Sequence, residues 1–321
     1  WMNQKYLDTL EFPKILAQLA GHADFSASDE LARAVRPATD FEDARRLQAE
    51  TSEAMLLLDV RPGLSVGGAR DVRPALEDSQ RGLSLTPAQL LDVKATLVSG
   101  RGLRTTITRM EEQYPRLAEI AGSIDDCLPL VSEIIRCVNE NGEINDEASP
   151  SLGRIRRELR RAHDRVLDAL QRLMSSPDTS RYLQEAIVTQ RSGRYVIPLK
   201  AEFKGRIPGL IHDQSASGVT LFIEPLSTVE LNNQWRELEL EEEREIRRIL
   251  ADLSGLVAAE SEFIERTLMA IAQLDLAFAK AKYARAQRSR LPELAPFRRP
   301  ARRGEPAINH PGSTIELLRA R

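Results

Sequence analysis

Four basic residues, Arg191, Arg194, Lys204 and Arg206, flank glycine turns between short apolar runs of β type. Lysine and arginine at turn tips suit one chemistry above others, contact with a phosphate backbone that carries no base information. Two more basic residues, Arg181 and Lys200, lie in the same stretch, opposed by Glu185, Glu202, Asp213 and Glu224. Ordinary solvation of turns accounts for such a pattern equally well. The segment Ser215-Ala-Ser-Gly218 has the look of a nucleophile loop, yet no histidine or acid is arranged to serve it. His212 and Asp213 are neighbours on a predicted strand and should point to opposite faces. Cys127 and Cys137 stand ten residues apart, with His22, His163, His212 and His310 scattered, so the sequence holds no metal-ligand set. A Gly-x-x-x-x-Gly-Lys-Ser/Thr phosphate loop is missing too, and the sequence predicts neither catalytic residues nor a bound cofactor.

The elements that must position these side chains are mostly helices. Of 321 residues, 42% are hydrophobic, 29% charged and only 5% aromatic, with a net charge of −3. That balance fits long, partly solvated helices, and any pull on nucleic acid must come from local patches. No apolar run approaches the ~20 residues of a membrane span, and Trp1-Met2-Asn3-Gln4 is not a signal peptide. The cytoplasm is the expected location, with no membrane partner.

Residues 1–148 read as a helical core. Pro13 interrupts an opening helix, Asp40 caps the next, Thr86-Pro87 starts another, and Leu117–Cys137 adds one or two short ones. Glu140-Asn-Gly-Glu143 marks a small hairpin between Val138 and Ile144. Ser149-Pro150 opens a first lever helix over 149–176, with a coiled-coil-like seam from Leu152 to Leu173. Residues 177–225 are a β-rich clamp element, predicted to be a four-stranded meander with Pro198 and Pro208 at edges or strand ends. Ser227-Thr-Val-Glu230 has the form of a capping box. It opens a second lever over 226–291, with Leu256 and Phe263 on its apolar stripe. Uninterrupted, that helix would reach roughly 95 Å, and Gly255 is its expected weak point. Residues 292–321, rich in proline and arginine, read as a linker followed by the first strand of a further domain.

Two charge clusters belong together on this plan. Arg154, Arg156, Arg157, Arg160, Arg161 and Arg165 sit on the first lever, and Glu237, Glu239, Glu241, Glu242, Glu243 and Glu245 on the second. Antiparallel levers would set Arg160 opposite Glu242 and Arg165 opposite Glu237. The arginines then brace a stalk more readily than they touch phosphate.

Four segments carry a resemblance: Tyr195-Val-Ile-Pro198, Gly209-Leu-Ile-His-Asp-Gln-Ser-Ala-Ser-Gly218, Leu221-Phe-Ile-Glu-Pro225 and Val229-Glu-Leu-Asn-Asn233. With Leu10-Glu-Phe12, Ala148–Glu158 and Glu237–Leu250, they resemble the second bacterial MutS subfamily, the paralogue without the mismatch-reading domain. The resemblance implies a mainly α fold, a MutS-like helical core with long antiparallel levers and a small β-rich clamp. It implies that a dimerising ATPase domain, with its ATP and Mg, and a nuclease-type domain belong to the parent protein beyond residue 321. Branched or duplex DNA and the ribosome with its rRNA are the implied partners, through suppression of recombination or rescue of collided ribosomes. The stretch 292–311 departs from the family pattern. A structural protein-docking or dimerisation module with little nucleic-acid affinity of its own is the competing reading.

Overall fold

The structure is a computed structural model that describes residues 4–294. Of the expected linker only 292–294 is described; its later prolines and the strand at Thr314–Leu318 lie outside the described residues, as do Arg298, Arg299, Arg302 and Arg303. The described chain is mainly α, with twelve α-helices and one small four-stranded antiparallel sheet. It forms two compact units. One holds 4–71, Ala95–Asp126 and 262–294; the other holds Val72–Lys94 and Cys127–Ser261.

In the first unit, helices α1 (Gln4–Thr9), α2 (Phe12–Ala20), α3 (Ser26–Ala34) and α4 (Phe41–Val60) come first. Pro13 falls in the first turn of α2, where a proline costs no hydrogen bond. Asp40 caps α4, its carboxylate accepting from the amides of Glu42 and Asp43. Helix α6 (Pro87–Thr108) begins at the expected proline, α7 spans Pro115–Gly122, and α12 spans Ser261–Ala286. Ile264, Leu268, Ile271, Leu274 and Phe278 bury α12 at helical spacing, and buried alanines close much of its remaining surface.

Helix α3 has no cap from its own sequence, because Phe25 occupies that position. Its cap comes from α12. The fully buried Asp275 carboxylate accepts from the amides of Asp24 and Phe25 at 2.9 and 3.0 Å and from the Ser28 hydroxyl. Its other oxygen, Oδ1, has no hydrogen-bond partner among the described residues. Burial pushes this carboxyl above the usual range, although the bonds from the Ser28 hydroxyl and the Asp24 amide pull it down.

The second unit contains α5 (Arg73–Gln80), α8 (Leu128–Cys137), α9 (Pro150–Ser175), the short α10 (Pro177–Ser180), the sheet and α11 (Val229–Ala259). The hairpin before α9 is reduced to one bridge, Val138 to Ile144. Ser149 caps α9 by accepting from the Leu152 amide at 3.0 Å. The same hydroxyl donates to Glu245 of α11 at 2.6 Å. Arg248 first, and Ser149 second, hold the Glu245 carboxyl down to about 2.

Helices α9 and α11 pack antiparallel; Arg165 shares a groove with Glu237 as expected, but the partner of Glu242 lies a turn away from Arg160. Glu242 takes Arg156 at 2.7 Å. Arg156 also donates to Asp146 and to the Ile144 carbonyl, both at 2.7 Å. Arg160 instead lies 3.9 Å from Asp146. Leu226–Thr228 form a 3₁₀ turn ahead of α11. That turn removes the capping box. Thr228 enters α11 with near-helical φ/ψ, and its hydroxyl donates back to the Pro225 carbonyl at 2.9 Å.

Strands β1 (Thr189–Arg191), β2 (Arg194–Lys200), β3 (Gly209–Gln214) and β4 (Thr220–Pro225) are ordered β1-β2-β4-β3, so the sheet is not a meander. Residues 201–208 carry the chain past the place where β4 inserts. Buried along nearly its whole length, β4 takes the inner position, and the exposed β3 forms an edge. Gly209 makes that pairing possible, since a Cβ there would lie 2.6 Å from the Glu224 carbonyl oxygen. Ser192 and Gly193 both have positive φ, 50° and 71°, as a two-residue hairpin turn with the right twist requires. Pro198 lies inside β2 rather than at an end. It sits past the end of β1, where its carbonyl accepts from the Gln184 amide.

One core joins this sheet to both helices: Val166, Leu170 and Met174 of α9, Ile197 and Leu199 of β2, and Trp235 of α11. The helical run after Thr228 breaks at Glu260, where ψ rises to 7°, and not at Gly255. Val257 is buried there, whereas Leu256 and Phe263 are exposed.

Two tests follow from these contacts. Arg156→Ala strips a half-buried cluster of charge-assisted bonds and should cost about 1.5–3 kcal/mol in denaturant unfolding, against less than about 1 for Arg160→Ala. Equal costs would contradict the register. For Asp275, a raised folded-state pKa means that its stabilising contribution is complete below the ordinary aspartate value of 3.8 and is lost as pH rises through the folded value. Asp275→Asn should therefore gain melting temperature over the parent chain between acid and neutral pH. A parallel pH profile for the two proteins would refute the assignment.

Candidate nucleic-acid interface

Strand β2 separates the four predicted contact residues into two pairs. Arg191 and Arg194 flank the turn that enters β2, and Lys204 and Arg206 follow the 3₁₀ turn Ala201–Phe203 that leaves it. At the rise of an extended strand, the two ends of β2 lie about 20 Å apart.

At the entry end the basic charge is already engaged. The Arg191 guanidinium lies 3.1 Å from Asp213 and 4.3 Å from the centre of the Phe222 ring. Arg194 donates to Asn233 at 2.6 Å and to Glu224 at 3.3 Å. Glu224 is buried, with a side-chain exposure of 1%, and its second oxygen meets His212 at 2.6 Å. A buried carboxylate must be paired to be tolerated, so Arg194 serves the interior first. The His212 ring is thereby committed to Glu224. The Ser215 hydroxyl accepts from the Thr220 amide at 3.1 Å, as a turn residue does.

The exit end is different. Lys204 and Arg206 are exposed and have no ion-pair partner among the described residues. Gly205 between them has φ of 84°, which turns the backbone sharply. The Lys200 and Tyr182 backbones pair at 3.0 Å and bring Arg181 to the same end. Arg181 lies 4.8 Å over the Tyr182 ring and the Lys200 ammonium 5.9 Å from the Phe203 ring centre. The Tyr182 and Phe203 rings meet at 5.0 Å between centres, tilted by 53°. Two residues outside the predicted four, Arg181 and Lys200, thus join Lys204, with Glu202 as an acidic neighbour. The signal for Arg181 in the sequence is its adjacency to Tyr182, whereas Lys200 lies between Leu199 and Ala201 and has none.

The α9 arginines divide as well. Arg156 is internal, Arg154 lies 3.8 Å from Glu158, and Arg161 and Arg165 line a groove shared with Glu237 and Glu241 of α11. Acids therefore face this basic row. No helix among the described residues is long and apolar enough to cross a membrane.

No family model matches the chain. It is 43% identical over 281 residues to a protein named Endonuclease MutS2 from Symbiobacterium thermophilum, a match covering 88% of this chain and 35% of that protein. A second Endonuclease MutS2, from Pelotomaculum thermopropionicum, is 42% identical over 282 residues, covering 88% of this chain and 36% of the relative. A third, from a Geobacillus strain, is 40% identical over 286 residues. The chain thus spans about a third of the length of the curated relatives it matches. The motif-level resemblance and this identity along most of the chain agree, and the chain is a MutS2-like protein that corresponds to part of those relatives.

Proposed function

We propose that this chain is the core and clamp region of a MutS2-type machine, and that its sheet grips nucleic-acid backbone. The observation that carries the reading is the exit end of β2, where Lys204 and Arg206 stand exposed without ion-pair partners among the described residues, beside Arg181, Lys200 and two aromatic rings in contact. Exposed cations next to aromatic faces serve phosphates and unpaired bases alike, without sequence preference. The entry end contributes less, because Arg191 and Arg194 neutralise Asp213 and Glu224. Branched DNA and ribosomal RNA present closely spaced backbones that such a site fits. The relatives are named endonucleases, and in this reading the nuclease and an ATP- and Mg-dependent motor that dimerises reside in the remainder of the parent protein. This chain then acts by binding and leverage, in the cytoplasm.

Titration of the purified chain against branched DNA, plain duplex and ribosomes at two salt concentrations tests the reading. Lys204→Glu with Arg206→Glu should weaken binding to every sequence alike. It should also flatten the log–log salt dependence by about one unit per lost contact. Arg191→Glu should have a smaller effect. Binding that ignores salt, or that survives the paired reversal, would rule the site out. The chain itself should show no micromolar affinity for ATP in calorimetry, since it lacks the backbone cradle and lysine that hold the β- and γ-phosphates; a measurable heat of binding would contradict this.

A further inference from the structure

Building on the nucleic-acid reading of the exit end of β2, we infer that the Arg181 guanidinium, seated on the Tyr182 ring, is a stacking platform for an unpaired nucleobase, so that this end prefers a single-stranded stretch to continuous duplex. Arg181 is exposed, has no ion-pair partner among the described residues and lies 4.8 Å over the centre of the Tyr182 ring. A guanidinium is planar and weakly hydrated. One of its faces is spent on Tyr182, and the other suits the flat face of a base. The platform is fixed from beneath. Tyr182 and Phe203, in contact at 5.0 Å between ring centres, both pack on the core that joins the sheet to α9 and α11. On either side of Leu183, itself bridged to Leu199, the backbone is tied to β2. The Lys200 amide donates to the Tyr182 carbonyl at 3.0 Å, and the Gln184 amide to the Pro198 carbonyl at 2.9 Å. The Lys200 ammonium reaches the Arg181 carbonyl at 3.5 Å and braces the same segment. A platform held this way loses little freedom on binding.

Neighbouring side chains favour one strand over two. Val219, 58% exposed, is brought to the same end by its carbonyl, which accepts from the Ala201 amide at 3.0 Å. An apolar side chain among cations suits a base and not a row of phosphates. Glu185 and Glu202 are exposed in the same segments as the cations. A continuous duplex hides its base faces and brings a second row of phosphates toward these acids. A single strand offers its phosphates to Lys204 and Arg206 and its base to Arg181. Such a site does not read sequence, because every base has a π face.

Binding of the whole chain at low salt to a gapped duplex, and to the continuous duplex of the same sequence, tests the platform. Arg181→Lys keeps the charge and removes the plane, and at an exposed position it should leave the melting temperature unchanged. It should weaken binding to the gapped probe about 5- to 30-fold and leave binding to the continuous duplex within about twofold. Lys204→Glu with Arg206→Glu should weaken binding to both probes, so the basic site and the platform fail separately. A gap preference that survives Arg181→Lys overturns the platform while the basic site stands. So does an equal loss on both probes, or equal affinity of the parent chain for the two. If the paired reversal leaves both probes bound as tightly as before, the nucleic-acid reading falls and the platform with it. The same pair of probes made of RNA identifies the source of the base, gapped DNA or an RNA loop, by which backbone shows the larger loss with Arg181→Lys.

Discussion

Asn232 is wholly buried, and its amide pairs with both backbone groups of Tyr195: its Oδ1 accepts from the Tyr195 N–H at 3.0 Å, and its Nδ2 donates to the Tyr195 carbonyl at 3.1 Å. A side chain in the first turn of α11 thus imitates a neighbouring strand and fixes β2 to the helix. The Tyr195 ring extends the junction, lying 4.7 Å from Trp235 of α11 and 5.3 Å from His163 of α9. Three segments meet at one residue. The directions of β2 and of the turns at both its ends depend on it. Removing either partner would leave two buried backbone groups unpaired, and such groups have no cheap alternative away from water.

The same junction explains the asymmetry of charge on the sheet. Next to Asn232, Asn233 holds Arg194, and Arg194 in turn neutralises the buried Glu224. Basic residues near the levers are consumed in tying the sheet to them. Those at the far end of β2 have no such duty and remain available to a ligand. Position relative to the junction, more than residue type, decides which cations can act on a partner.

Local signals were the readable part of the fold. Asp40, Thr86-Pro87 and Ser149-Pro150 start helices through contacts with residues next to them, so the expected starts agree with α4, α6 and α9. What stayed hidden depends on distant partners. The cap of α3 is supplied by Asp275, about 250 positions away in the chain. The helix break at Glu260 involves neither proline nor glycine, and no residue type there announces it. Strand order depends on the path of residues 201–208 and on the close approach at Gly209, neither of which alternation encodes. Among the basic residues, Arg191 and Arg194 looked as free as Lys204 because nothing local reveals that Glu224 is buried. The antiparallel packing of α9 and α11 was legible from matched charge, but its register needed the position of Arg156.

Asn232 couples the sheet rigidly to the helix, and amide hydrogen exchange measures that coupling directly. In Asn232→Ala, the Tyr195 amide and its β2 neighbours should exchange about 10- to 100-fold faster, the equivalent of about 1–3 kcal/mol of lost protection, while the middle of α11 stays protected. Unchanged exchange across β2 in that variant would show that the sheet is held by its apolar core alone and would contradict the account.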